Sequence, residues 1–160
     1  MNVIAIYPGT FDPVTNGHLD IIERSSELFS SVIVTVARNY SKKPMFTTSE
    51  RVAMITTSVK HLTNITVDSF EGLLVAYAKK KKATVIVRGL RAVSDFEYEF
   101  QMALTNRKLE SKITTVFLMP HEKYTYLSSS LVREIASLGG DVSGFVPELV
   151  RERLKKKIKR

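Results

Sequence analysis

Five short, β-branched apolar runs, each followed by a stretch with helical periodicity, constrain this chain more than any other feature. The runs fall at 2–7, 32–37, 64–69, 84–88 and 114–118. They are nearly continuous in apolar character, as in Val32-Ile33-Val34-Thr35-Val36-Ala37, which is the pattern of parallel strands covered on both faces. Between them, residues 17–29, 48–61, 72–82 and 93–109 carry apolar residues at helical spacing. The first places Ile21, Ile22, Leu28 and Phe29 on one side. The second carries Val52, Ile55 and Val59 behind the capping-box signature Thr47-Thr48-Ser49-Glu50, and the last carries Phe96, Phe100, Ala103 and Leu104. Ser128–Leu138 reads as a further helix stopped by Gly139-Gly140, and Pro147 suits the first turn of a C-terminal one.

This alternation predicts an α/β fold: a doubly wound, five-stranded parallel sheet, Rossmann-like, of order 3-2-1-4-5. Helices cover both faces and two more close the C-terminus. With no repeat and no low-complexity linker, residues 1–160 are expected to form one domain. In such sheets ligands bind beyond the carboxyl ends of the strands, where the strand order reverses. The polar clusters fall on that rim. Thr10 and His18 follow the first strand, Lys42 the second and Arg88-Gly89-Leu90-Arg91 the fourth, while Ser128-Ser129-Ser130 lies beyond the fifth.

Composition narrows the function classes. No apolar run approaches the ~20 residues of a membrane helix, and no signal-peptide pattern is visible, so a cytoplasmic protein without a membrane partner is expected. Zero cysteines exclude disulfides and thiolate chemistry. The net charge of +8 is concentrated: residues 151–160 carry seven Lys/Arg and one Glu, leaving only +2 for the first 150 residues. That tail, like Lys79–Lys82, reads as a solvated helix end. Neither run interleaves aromatics with its cations, so no nucleic-acid partner is expected.

The most telling stretch is Gly9-Thr10-Phe11-Asp12-Pro13-Val14-Thr15-Asn16-Gly17-His18, a turn between a strand and a helix N-terminus. Amides of a helix's first turn lack intrahelical partners and attract anions. The turn has neither the Gly-x-Gly-x-x-Gly pattern of dinucleotide sites nor the Gly-Lys-Ser/Thr of a P-loop. It offers a hydroxyl at Thr10, a glycine at 17 for close approach and an imidazole at His18, which as a lone residue would read as a cap or a buried histidine. Arg88 and Arg91 flank a glycine at a strand end, with forks suited to phosphate. They could also pair with Asp95, Glu97 or Glu99. Lys42 can reach the rim from Tyr40-Ser41-Lys42-Lys43-Pro44, and the three serines offer hydroxyls and free amides. His61 and His121 lack metal-ligand spacing and read as surface residues.

With YPGTFDPVTNGH at 7–18, SKKPMF at 41–46, RGLRAVSDFEYE at 88–99, VFLMP at 116–120 and SSSLV at 128–132, the chain resembles the T/H-x-G-H nucleotidyltransferases. It is most similar to the bacterial phosphopantetheine adenylyltransferase family, nearly end to end, and the RGLR…DFEYE segment is the specific part. The resemblance implies adenylyl transfer from ATP to 4′-phosphopantetheine, giving dephospho-coenzyme A and pyrophosphate, with Mg²⁺ as cofactor and a homohexameric assembly. It implies pantetheine contacts from Thr10, Lys42, Leu74 and Arg88. It implies ATP contacts from Thr10, Phe11, His18, Gly89, Leu90, Arg91, Glu99, Tyr124, Thr125, Tyr126, Leu127, Ser128, Ser129 and Ser130. The catalytic set is His18, Thr10, Lys42 and Arg91. His121–Tyr126 departs from the family pattern, and Leu127 stands where isoleucine is frequent.

Because the substrate phosphate is already a nucleophile, positioning and charge stabilisation are the expected chemistry. Two other readings stand beside it: a cytidylyltransferase acting on glycerol phosphate, and a non-catalytic nucleotide sensor or nucleic-acid module.

Overall fold

The computed structural model describes residues 1–39 and 43–159. The strands are β1 (Ile4–Gly9), β2 (Ser31–Ala37), β3 (Ile65–Phe70), β4 (Val85–Gly89) and β5 (Thr114–Leu118). The helices are α1 (Asn16–Leu28), α2 (Thr48–Ser58), α3 (Leu74–Lys80), α4 (Val93–Leu109), α5 (Ser129–Ser137) and α6 (Glu148–Ile158). All neighbouring strands pair in parallel in the order β3-β2-β1-β4-β5. The reversal lies between β1 and β4, so the loops after them open side by side. No helix among the described residues is long and apolar enough to cross a membrane.

Alternation along the strands sorts the core into two layers. Ala5, Tyr7, Val32, Val34, Val36 and Val87 face the larger cluster, which includes Ile21 and Ile22 of α1, Ile55 of α2, Val132 of α5 and Leu154 of α6. Ile6 and Ile86 face the smaller one, with Val75 and Ala78 of α3. The helix ends follow their chemistry. Thr47 and Glu50 make the expected capping box, with Thr47 Oγ1 accepting from the Glu50 N–H and Glu50 accepting from the Thr47 N–H. At the end of α5 the Gly139 N–H reaches the Ala136 carbonyl and the Gly140 N–H the Ile135 carbonyl, a Schellman closure. Gly139 has φ +81°, and a Cβ on Gly140 would sit 2.5 Å from Ile135. Glycine is therefore required at both positions.

The helical patterns mislead in two places. Leu28, the last residue of α1, is 62% exposed, and its layer is completed by Ile21, Ile22 and the buried Ser25. In α4, Phe96, Phe100 and Leu104 are each almost half exposed, and the buried residues are Glu99 and Asn106. The expected core stripe of α4 is a surface stripe on this chain. Glu99 is held inward by an ion pair, and no second layer covers the phenylalanines.

The basic tail packs as part of α6. Lys157 donates to both carboxylate oxygens of Glu50 at 3.0 Å and lies over the Phe46 ring, tying α6 to the start of α2. Arg151 pairs with Glu148. At the other basic run, Lys79 pairs with Glu110 and Lys81 with Asp68.

Candidate active site

A cavity of about 690 Å³ opens at the rim where β1 and β4 diverge. From β1 and its loop come Tyr7 to Asp12, from the cap and first turn of α1 Thr15, Gly17 and His18, from β4 and its loop Arg88, Gly89 and Arg91. Glu99 enters from α4 and Ser128, Ser129, Ser130 and Arg133 from the start of α5. His18 and Arg88, distant in sequence, share this one space.

His18 occupies the N3 position of α1, so its fixed place follows from helix capping. Thr15 is the N-cap and receives the His18 N–H at 3.3 Å, while the Thr15 N–H donates to His18 Nδ1 at 3.0 Å. This is a capping box with histidine where glutamate is usual. An Nδ1 that accepts a backbone N–H carries no proton, which assigns the neutral ring's proton to Nε2. Burial, and behind it the charges of Arg91 and Arg88, lowers the imidazole from the ordinary 6.5 to about 4. The ring is therefore a neutral donor near pH 7, packed edge-on to Phe11 at 4.9 Å between centroids. The cap and the cavity-lining role coexist because they use different ring nitrogens.

The turn before it is tightly held. Phe11 has φ +49°, in the left-handed region, and a Cβ on Gly9 would come within 2.8 Å of its ring. Gly9 is thus glycine so that Phe11 can fold back over the strand. The Asp12 carboxylate accepts the N–H groups of Met45 at 2.8 Å and Phe46 at 2.9 Å, fastening this turn to the segment after β2. Gly17 is different: a Cβ there would make only ordinary contacts at 3.5 Å, so the chain's own packing does not demand glycine.

The arginine near the end of β4 and the one in the loop after it are both committed to carboxylates, and each still lines the cavity. Arg88 grips Glu99 with both arms of its fork, at 2.8 and 2.7 Å, and reaches the Pro8 carbonyl at 3.0 Å. Among the described residues three of its five N–H groups are used, leaving two. Arg91 bonds Asp95 at 3.3 Å and the Leu127 carbonyl at 3.1 Å, joining the loop after β4 to the start of α5. Burial pushes the Tyr7 phenol far above its ordinary range, so it stays protonated.

At α5, Ser128 caps the helix through the Leu131 N–H, and the Ser129 hydroxyl donates to the Pro13 carbonyl at 2.7 Å. Those hydroxyls hold the loops together, and the first-turn amides remain as the anion-facing groups. Arg133, which the sequence reading passed over, donates to the Asp12 carbonyl and to Ser130 Oγ and lines the cavity. Its signal was available: three and four residues beyond Ser130 and Ser129, it shares their helix face. Asp12 was within the quoted motif, but its role in gripping residues 45 and 46 has no local signature.

Not every expected residue reaches the cavity. Thr10, Phe11, His18, Arg88, Gly89, Arg91, Glu99, Tyr124, Leu127 and Ser128–Ser130 line it. Leu90 bonds the Leu118 carbonyl instead. Thr125 lies outside and bonds the Glu122 carbonyl, and Tyr126, 61% exposed, packs against Phe145. Leu74 packs with the smaller core layer. Lys42 lies outside the described residues. His61 and His121 are on the surface, His61 beside Glu23 and His121 capping the short 3-10 turn at 122–124.

Comparison with known proteins agrees with this architecture. A cytidylyltransferase-like family profile matches residues 6–135. A phosphopantetheine adenylyltransferase from Alkaliphilus metalliredigens is 59% identical over 96% of this chain and 98% of its own length. Another, from Carboxydothermus hydrogenoformans, is 55% identical over 98% and 97%. A solved structure of a putative nicotinate-nucleotide adenylyltransferase from Vibrio parahaemolyticus overlays with a TM-score of 0.73. It is 21% identical and covers 97% of this chain and 99% of its own, a likeness of fold.

Proposed function

The chain belongs to the cytidylyltransferase-like family and, within it, to the phosphopantetheine adenylyltransferases, and from that membership we propose how its cavity carries out the reaction. The chemistry is adenylyl transfer from ATP to 4′-phosphopantetheine. A phosphate oxygen of phosphopantetheine forms a bond to the α-phosphorus of ATP, the bond to the β-phosphate oxygen breaks, and pyrophosphate leaves. The attacking group is already an anion, so the protein's task is to align two anions and spread the growing charge.

The observation that supports this reading most is the Nε2–H of a neutral His18 in a cavity shared with Arg88, Arg91 and Arg133. His18 donates to an α-phosphate oxygen, with the Thr10 hydroxyl beside it. Arg88, held rigid by Glu99 and the Pro8 carbonyl, receives the incoming phosphate, to which the family resemblance adds Lys42; of Leu74, which lies outside the cavity lining, only the resemblance speaks for a pantetheine contact. Arg91 and the first-turn amides of α5 face the β,γ-phosphates, with Tyr124 and the backbone of residues 125–127 toward the nucleoside.

Mg²⁺, which the family resemblance implies, would supply neutralisation of phosphate charge on the nucleotide. The chain's donors do not fit a resident ion. Asp12 is occupied by two backbone N–H groups, Glu99 by Arg88 and Asp95 by Arg91. Among the described residues no cluster of three metal-ligating side chains occurs.

The whole chain acts as one nucleotidyltransferase domain in the cytoplasm, and copies assemble as the family resemblance implies; the exposed apolar face of α4 supports that face as the contact. The deciding experiment is pyrophosphate release on adding 4′-phosphopantetheine to enzyme, ATP and Mg²⁺, with the product identified by mass. CTP, glycerol phosphate and nicotinamide mononucleotide serve as alternative reactants. Turnover only with ATP and 4′-phosphopantetheine is expected; preference for CTP or another acceptor would overturn the reading.

A further inference from the structure

Arg51 is a buried arginine outside the cavity, only 3% exposed, on the first turns of α2. A charge in such a place needs partners, and Arg51 takes nearly all of them from backbone. Its Nη1 donates to the Thr10 carbonyl at 2.8 Å and to the Ala37 carbonyl at 3.4 Å. Its Nε donates to the carbonyls of Phe46 at 3.1 Å and Thr47 at 3.4 Å, and its Nη2 to Thr48 Oγ1 at 3.2 Å. Among the described residues no carboxylate hydrogen-bonds it. One guanidinium therefore gathers the end of β2, the start of α2 and the turn after β1.

The bond to Thr10 is the consequential one. The Thr10–Phe11 peptide is planar and trans, so fixing its carbonyl fixes the Phe11 N–H on the opposite edge. Phe11 sits at φ +49°, a conformation phenylalanine does not hold unless its surroundings impose it. Gly9 makes room for the ring, Asp12 fastens the next residue, and Arg51 holds the carbonyl before it. Lysine, a single ammonium, cannot span carbonyls on three segments as the planar fork does.

We propose that Arg51 is a positioning residue for adenylyl transfer, setting the orientation of the Thr10–Phe11 peptide, and through it the Thr10 hydroxyl, against the reacting phosphate. The proposal rests on the role given above to Thr10. It predicts that Arg51→Lys lowers kcat by about 100-fold, the penalty of a small misplacement of reacting groups. KM for ATP and for 4′-phosphopantetheine should move far less, because Arg51 touches neither.

The experiment compares wild type, R51K, T10V and R51K/T10V by kcat and KM per folded enzyme, with thermal melts setting the folded fraction. R51K is expected to cost much less in the T10V background than in wild type. A folded R51K with wild-type kcat, or one whose cost is the same in both backgrounds, would overturn the proposal while leaving Thr10 in place. T10V with normal kcat would instead remove Thr10, and this proposal with it. Should R51K not fold, Thr48→Ala decides: it removes one acceptor from Arg51 without disturbing the Thr47 cap. A lowered kcat at an unchanged melting temperature supports the proposal, and an unchanged kcat overturns it.

Discussion

The Nδ1 of His18 accepts the cap N–H of its own helix, so only Nε2 is left to face the cavity, and it does so with a proton. Two measurements follow from that geometry. His18→Ala removes a donor aimed at charge that grows during the reaction, so kcat should fall by about 100–1,000-fold with much smaller changes in KM. Near-normal kcat would take the imidazole out of the mechanism. The second concerns protonation. In the free enzyme the ring is pushed down to about 4, chiefly by burial. It is therefore neutral across the range in which an ordinary histidine charges, and its contribution to stability, present above 6.5, is lost as pH falls toward 4. An NMR titration of the ring should find its midpoint far below 6.5; a midpoint at 6.5 would contradict the buried, arginine-flanked setting. These residues were legible because strand, turn and helix start are contiguous in sequence and the motif is short. Arg51 was not, because its meaning comes from carbonyls on three segments that no local pattern links. Likewise, nothing in the sequence decided that Arg88 would choose Glu99 over Asp95 or Glu97.

At the scale of elements, strands and caps were readable because their causes are local. β-branched runs define β1 to β5 within two residues, and Thr47…Glu50 and Gly139-Gly140 mark helix ends by hydrogen bonds that close within a few residues. Helix packing was less readable, since periodicity gives a face but not its neighbour. The joint between α2 and α6 is an example: Lys157 lies in a run read as solvated, yet it meets Glu50 and the Phe46 ring. Glu50 is lowered below its ordinary value, first by the Thr47 N–H and then by Lys157. A carboxylate with a lowered folded pKa stabilises fully above its unfolded value, and the contribution disappears as pH falls through the folded one. Both side chains are about a third exposed, so Lys157→Met should cost only roughly 0.5–1 kcal/mol near neutral pH. The difference in melting temperature from wild type should shrink as pH falls through the lowered value at which Glu50 protonates, beneath the ordinary glutamate range. A difference that is constant with pH would mean that the lysine stem on Phe46, rather than the ion pair, carries the effect.

The whole molecule poses the question of α4, whose outer face the fold leaves uncovered. Phe96, Phe100 and Leu104 recur every four residues and are each almost half exposed, and Val93 extends the row at 90%. Phe96 and Phe100 stack at 5.5 Å, with Phe117 of β5 6.2 Å from Phe96, so the patch is continuous. A row of this kind on one chain is an ordinary signature of a surface that another copy covers. The same helix carries Glu99, which steadies Arg88 in the cavity. A partner packed on α4 would therefore brace the site from outside, coupling assembly to activity without supplying a residue to it. Phe100→Glu places a charge in the middle of the row, where burial against a partner would have contributed about 1.5–3 kcal/mol. Sedimentation velocity at micromolar protein is expected to show an oligomer for wild type and a shift toward monomer for F100E. F100E should keep a measurable fraction of its activity, since Phe100 does not line the cavity. A wild-type chain that sediments as a monomer throughout would leave the α4 face without a function in assembly. An F100E variant that stays fully oligomeric would place the contact on another surface.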